Sequence, residues 1–178
     1  ASLLGLRTGV ISKLPSHDIG SFMKGKIRSF GVSDDFFMYD DSPSARVGIY
    51  YYENGAYPRK PKVIYDRMNS SFFSLNIDEI PKEVYTASKC FHTTGITLAL
   101  SPQIRETTIE MIKRFKEAGT LVSFDVNFRG NLWSGDEARE CILKILPYVD
   151  IFFCSEDTAR LTFLKTGTAK EMMKSFTE

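Results

Sequence analysis

The sequence predicts an α/β fold, on three observations. Short apolar runs of strand length, Leu121 to Phe124 and Asp150 to Cys154 the clearest, alternate with stretches of helical apolar spacing such as Ile104, Thr108, Met111, Ile112 and Phe115. The connections between them are short and carry capping residues, as in a mostly parallel sheet flanked by helices. Between residues 34 and 74 the pattern changes: aromatics cluster, helical spacing vanishes, and turn residues (Asp41-Ser42-Pro43, Asn54-Gly55, Pro58, Pro61) separate short runs. The expected organisation is an α/β core over 1–33 and 75–178 with a β-rich lid inserted at 34–74.

In chain order, Val10 to Leu14 reads as a short strand ended by Pro15, and Asp18 as the N-cap of a helix from Ile19 to Phe30. Phe22, Lys26, Ile27 and Phe30 are its expected buried stripe, and Gly31 closes it. Gly20-Ser21-Phe22-Met23-Lys24-Gly25-Lys26 fits the first seven positions of a phosphate loop, but Ile27 stands where such a loop needs Ser or Thr for magnesium. The apolar spacing of Phe22 and Met23 favours a plain helix. In the insertion, Phe36 to Tyr39, Arg46 to Glu53 and Lys62 to Arg67 are expected as strands of one small sheet.

Tyr50, Tyr51 and Tyr52 in a row must point to alternate faces of a strand. One reading is a tyrosine-rich strand half exposed at an interface. The other joins these rings to Tyr65, Asp66 and Arg67 as an aromatic site for a small polyol acid, the guanidinium gripping a carboxylate through two parallel hydrogen bonds.

Beyond the insertion, Ile80-Pro81 starts a short helix, Cys90 to Thr93 is a strand, and Thr93 to Thr97 is its loop at the same sheet edge as Asp125. Ser101 and Pro102 have the form of N-cap and first helical residue, and Gly119 ends that helix. Ser134 to Glu137 reads as a capping box before the stripe Ala138, Cys141, Ile142 and Ile145. Asp150 to Cys154 is expected as a buried strand, and Ser155 as the N-cap of a helix from Glu156 to Leu164, where free N–H groups favour a phosphate.

The chemistry concentrates just past Leu121 to Phe124. Asp125, Asn127 and Arg129 alternate with Val126 and Phe128 beyond the carboxyl end of a strand, where open α/β sheets bind ligands. The same residues also fit a plain turn, with Asp125 capping it, Asn127 in an Asx turn and Arg129 solvated.

Composition bounds the function. With 178 residues, 43% hydrophobic and 25% charged, the chain can bury one good core. A net charge of +1 attracts neither nucleic acid nor an anionic membrane, so neither is expected as a partner. No window of 18 uninterrupted apolar residues and no signal peptide is visible, and a cytoplasmic protein is expected. Cys90, Cys141 and Cys154 are odd in number, far apart and set among apolar neighbours, and read as small buried hydrophobes. His17 and His92 lack the spacing of a zinc site. The opening Ala1-Ser2-Leu3-Leu4-Gly5-Leu6 reads as the tail of a helix already in progress, and the chain closes without a terminating strand, so an interior fragment is expected.

Phe124-Asp125-Val126-Asn127-Phe128-Arg129-Gly130-Asn131-Leu132-Trp133-Ser134 resembles the Phe-Asp-x-Asn-x-Arg-x-x-Leu-Trp-Ser stretch of 2-keto-3-deoxygluconate kinases, members of the ribokinase-like (PfkB) sugar kinases. A second block, Leu146 to Asp157, follows at that family's spacing, and the likeness runs over nearly the whole chain. It implies a ribokinase-like three-layer α/β/α fold, mostly parallel with a small β lid. It also implies ATP and Mg2+ as cofactors, and phosphorylation of 2-keto-3-deoxygluconate on its terminal hydroxyl.

Ala45 to Tyr50 resembles the family's Thr-Gly-Leu-Tyr, and Val63 to Arg67 its Val-x-Tyr-x-Arg, so Tyr50, Tyr65 and Arg67 are implied to contact the sugar acid from the lid. Asp66, where a Tyr is frequent, is grouped with them, and Arg129 would join Arg67 on the acid. Asn127, Phe128, Arg129 and Ser155 would border the nucleotide phosphates. The family's Asn-x-x-Glu reads here as Ser155-Glu156-Asp157-Thr158, with Glu156 or Asp157 open as the substitute acid. The family's catalytic Asp belongs to a Gly-Ala-Gly-Asp motif that does not occur before Glu178, so this chain holds no catalytic residue and is expected to be inactive alone. The implied partners are the sugar acid, ATP and a second copy paired through the β lid. Two alternatives stay open: another kinase of the family, for fructose or a deoxyketogluconate or deoxyinositol derivative, and a non-catalytic sugar-acid-binding or pairing module.

Overall fold

The protein is described from a computed structural model covering residues 1–177. The chain forms two compact units, Ala1–Pro81 and the segment from Lys82 onward.

In the first unit, β1 (Thr8–Gly9) and β2 (Ser12–Pro15) lead into helix α1 (Asp18–Arg28), which returns the chain to β3 (Val32–Ser33) and β4 (Phe37–Asp40). β1 pairs parallel with β3 and β2 parallel with β4, as a helical crossover requires. The N-cap of α1 is His17 rather than Asp18: its Nδ1 accepts the Ile19 N–H at 3.3 Å, and Asp18 lies in the first turn. Gly31, at φ 71°, turns the chain out of the helix end.

The buried face of α1 differs from the expected stripe. Phe22 is 72% and Phe30 50% exposed, while Gly20 is buried and Met23, Lys24 and Ile27 are half-buried. Gly20 sets this phase. A Cβ there would stand 1.8 Å from the Pro15 carbonyl oxygen, so the helix leaves the strand with its glycine pressed against it, and the positions three, four and seven residues on follow inward. The phosphate-loop look-alike thus lies inside a helix.

Phe36 to Tyr39 was expected in the small sheet of the insertion; its strand, β4, instead pairs with β2, and Phe37 and Met38 join Leu14, Leu75 and Ile80 in the core. What remains of that sheet is a two-stranded antiparallel ribbon of β5 (Ile49–Glu53) and β6 (Lys62–Asp66), exposed along its whole length.

The second unit runs α2 (Val84–Ala87), β7 (Cys90–Thr94), α3 (Gly95–Ala99), α4 (Pro102–Glu117), β8 (Leu121–Asp125), α5 (Gly135–Ile145), β9 (Ile151–Phe153), α6 (Glu156–Leu161) and α7 (Ala169–Lys174). Its three strands pair parallel in the order β7-β8-β9. Val122, Phe124 and Val126 are at most 1% exposed, and the Phe91 ring stacks on Phe115 of α4 at 4.1 Å. Ile104, Thr108, Met111, Ile112 and Phe115 all lie on the buried face of α4, and Ser101 caps it through the Ile104 N–H. Ser134 and Glu137 form the capping box of α5 with the stripe as expected.

Four expectations are corrected here. Thr93 to Thr97 is no loop, because α3 starts at Gly95, whose missing Cβ would lie 2.1 Å from the Val126 carbonyl oxygen. β9 is not buried, since Ile151 and Phe153 face outward, and α6 stops at Leu161, short of Leu164 at φ 56°. Of the cysteines only Cys141 is buried; Cys90 is exposed and Cys154 half-buried, and all three are free. Among the described residues no helix is long and apolar enough to cross a membrane.

Candidate functional site

The predicted residues fall in both units, and in each the backbone decides how they are presented. In the ribbon, Tyr50 and Tyr65 are register partners, so they share a face, with ring centroids 6.4 Å apart. Arg67 follows two residues after Tyr65 on the same face, its guanidinium carbon 4.5 Å from the Tyr65 ring centroid. Among the described residues the Arg67 guanidinium meets no carboxylate, so a planar donor fork is held by a ring and left open to a ligand.

Asp66 pairs in register with Ile49 and lies on the opposite face. Its carboxylate accepts from Arg46 Nη2 at 2.7 Å. Arg46 did not figure among the sequence candidates, because its partner lies 20 residues away and only the strand register joins them.

In the second unit, the segment after β8 makes a tight turn. Asp125 Oδ1 accepts the Asn127 N–H at 3.0 Å, and Asn127 takes a left-handed φ of 37°, which Asn tolerates better than most residues. This is the Asx turn of the plainer reading. Val126 is buried and its N–H donates to the Phe153 carbonyl, extending the β8–β9 pairing by one bond. Phe128 is half-buried and Arg129 exposed, with no side-chain bond among the described residues.

Ser155 occupies the equivalent position past β9. Its hydroxyl caps α6, accepting the Thr158 N–H at 3.2 Å, and lies 2.8 Å from Thr158 Oγ1. Thr158, the departure from the family's Glu, is therefore engaged with the residue it follows. Glu156 is paired with Arg160 at 2.7 Å, whereas Asp157 is exposed and has no partner among the described residues. Burial, reinforced by the nearby Asp125 carboxylate, pushes the Cys154 thiol up to about 11, which keeps it neutral and unreactive at the strand end. Asn127 and Ser155 thus lie beyond the carboxyl ends of adjacent parallel strands, where neutral polar groups suit nucleotide phosphates.

Magnesium fares differently. Among the described residues no three His, Cys, Asp or Glu side chains stand close enough to hold a metal, and no step is assigned to the ion. An open apolar groove of about 740 Å³ beside β9, lined by Phe152, Met172 and Phe176 among others, includes Glu156 but none of the residues expected to touch sugar or nucleotide.

An α/β fold with its polar residues past the carboxyl ends of parallel strands defines a ligand-binding α/β protein. Residues 1–178 match the pfkB family carbohydrate kinases, and the chain belongs to that family. It is 37% identical over 169 residues to 2-dehydro-3-deoxygalactonokinase of Haloferax volcanii, an overlap of 95% of this chain and 52% of that protein. It is 32% identical over 174 residues to probable fructokinase-3 of Arabidopsis thaliana, covering 97% and 49%. The crystal structure of 2-dehydro-3-deoxygluconokinase from Thermotoga maritima superposes with a TM-score of 0.87 at 28% identity, over 97% of this chain and 54% of that one. The fold is thus the expected ribokinase-like α/β type, and the chain spans about half the length of the curated relatives it matches.

Proposed function

We propose that the full-length protein is an ATP-dependent kinase of a 2-keto-3-deoxy sugar acid, placing the phosphoryl group on the terminal hydroxyl, and that it acts in the cytoplasm. The observation that carries this reading is Arg67, held over Tyr65 on the face of Tyr50 with its donors uncommitted. A neutral hexose has no need of such a cation, whereas a carboxylate matches the fork. That favours the gluconate or galactonate acid over fructose, although both kinds of kinase occur among the similar proteins.

In this reading Arg67 takes the carboxylate, and Tyr50 and Tyr65 cover the polyol. Asn127, Phe128 and Ser155 border the phosphates of ATP, which supplies the transferred group. Phosphoryl transfer needs mainly positioning and charge stabilisation, and neutral amide and hydroxyl groups at strand ends supply the former. The base for the attacking hydroxyl is not assigned to this chain, since no Gly-Ala-Gly-Asp occurs in it. The opposite face of the ribbon, where Ile49, Tyr51 and Ile64 are 44%, 58% and 52% exposed, is proposed to pair with a second copy.

Arg67→Ala in the full-length protein is expected to raise KM for the keto acid by roughly 10- to 100-fold, the loss of a charge-assisted pair of about 1.5 to 3 kcal/mol. Unchanged kinetics would make Arg67 a surface residue of the ribbon. Fructose phosphorylated as fast as the keto acid would remove the acid preference.

A further inference from the structure

Arg46 lies outside every role given above, yet it is the most heavily bonded residue at the root of the ribbon. Its Nη1 donates to the Met68 carbonyl at 2.9 Å, and its Nη2 donates to the Asp66 carbonyl at 3.3 Å and to Asp66 Oδ2 at 2.7 Å. The two carbonyls it grips flank Arg67. Its own backbone is fixed in turn: the Arg46 N–H donates to Ser71 Oγ at 3.2 Å, and its carbonyl accepts the Ser71 N–H at 2.8 Å. Ser71 is 2% exposed, so the anchor lies in the core of the first unit.

Two residues on, Gly48 completes the grip. A Cβ there would come 3.0 Å from the Arg67 Cβ and 3.3 Å from its Cα, so the absence of a side chain lets β5 close on the backbone of Arg67. As an ion pair the Arg46–Asp66 contact is weak, because the two side chains are 35% and 51% exposed and water screens them. Its effect is geometric. A two-stranded ribbon is floppy unless tied down, and a bidentate guanidinium must be held closely in direction to be useful.

We infer that Arg46 is a positioning residue for Arg67: by clasping the carbonyls of the residues on either side, it sets the direction in which the Arg67 guanidinium leaves the ribbon. Asp66 serves as the counter-ion of Arg46 and not as a contact to the sugar. The inference rests on the proposed role of Arg67 as partner of the acid.

Steady-state kinetics and calorimetric titration of the full-length protein with 2-keto-3-deoxygluconate test it. Arg46→Ala is expected to raise KM and Kd for the keto acid about tenfold, with kcat and the KM for ATP within about twofold of the parent. The Arg46→Ala/Arg67→Ala protein should bind no more weakly than Arg67→Ala alone, since Arg46 acts only through Arg67. Arg46→Lys should recover part of the loss at most, one ammonium being unable to meet the carboxylate and both carbonyls. Gly48→Ala displaces the same backbone without changing charge and should weaken the acid in the same direction, which keeps the test open if Arg46→Ala does not fold. Additive losses in the double variant, or a fall in kcat at unchanged KM, would overturn the positioning role. So would a raised KM in Arg67→Ala with no response to Arg46→Ala and Gly48→Ala. An unchanged KM in Arg67→Ala would overturn the reading of the acid site itself, and the role of Arg46 with it.

Discussion

At Asp150 a single carboxylate ties three segments of the second unit. Oδ2 accepts the Val122 N–H at 2.9 Å at the start of β8, and Oδ1 is paired with Lys116 near the end of α4. The Lys116 hydrogen bond, and after it the Val122 N–H, hold this carboxyl below the ordinary aspartate value of 3.8. Because its folded-state pKa is depressed, its contribution is complete above that ordinary value and is lost as the pH falls through the lowered one. Asp150→Ala leaves the N–H of fully buried Val122 without its acceptor and should cost about 1 to 3 kcal/mol at pH 7. In urea titrations the gap to the parent should narrow below pH 3.8. A gap independent of pH would mean that lost packing, and not the carboxylate, sets the cost. Also at residue scale, the candidate aromatics and arginines were all legible as residue types, but Arg46 was not. Nothing local marks an arginine whose partner is reached only across a strand pair.

Helix α1 shows what an element reveals about itself and what it does not. The helix itself stops at Arg28, short of the expected Phe30, but its existence and the turn at Gly31 follow from local spacing. Its rotation does not: two apolar stripes were available, and the contact of Gly20 with Pro15 chose the one through Met23 and Ile27. The two glycines of this helix should respond in opposite directions to the same change. Gly20→Ala forces a Cβ to within 1.8 Å of a backbone oxygen and should destabilise by about 1 to 3 kcal/mol through overpacking. Gly25→Ala meets nothing within 4 Å and should stabilise by up to about 1 kcal/mol, because alanine restricts the unfolded chain. Equal melting temperatures for the two variants would show that the close approach at Gly20 is not what orients the helix. In α4 and α5, by contrast, stripe and caps agreed with the sequence throughout, since Ser101 and the Ser134–Glu137 box act within a single turn.

For the whole molecule the proposed pairing through the ribbon has a direct test. Tyr51 and Ile64 are register partners on the face away from Tyr65, so a charge placed there should break the pairing and spare the sugar face. Ile64→Lys is expected to shift the full-length protein from dimer to monomer in sedimentation velocity, with the KM for the keto acid changed less than about threefold. A parent protein that sediments as a monomer would remove this use of the exposed tyrosines. The strand over Phe37–Asp40 teaches the same lesson from the other direction: its aromatic composition resembled the insertion, but its pairing with β2 puts it in the core of the first unit.

By itself the sequence determined the kind and order of most elements, the N-caps of α4 and α5, and the family, because these depend on residues within a few positions of one another or on contiguous motifs. Only the tertiary structure decided which strands pair, which face of α1 turns inward, and that Tyr50, Tyr65 and Arg67 share one side of the ribbon while Asp66 turns to Arg46 on the other. Register has a period of two residues, so a shift of one reverses every side chain, and contacts spanning 20 positions settle the choice.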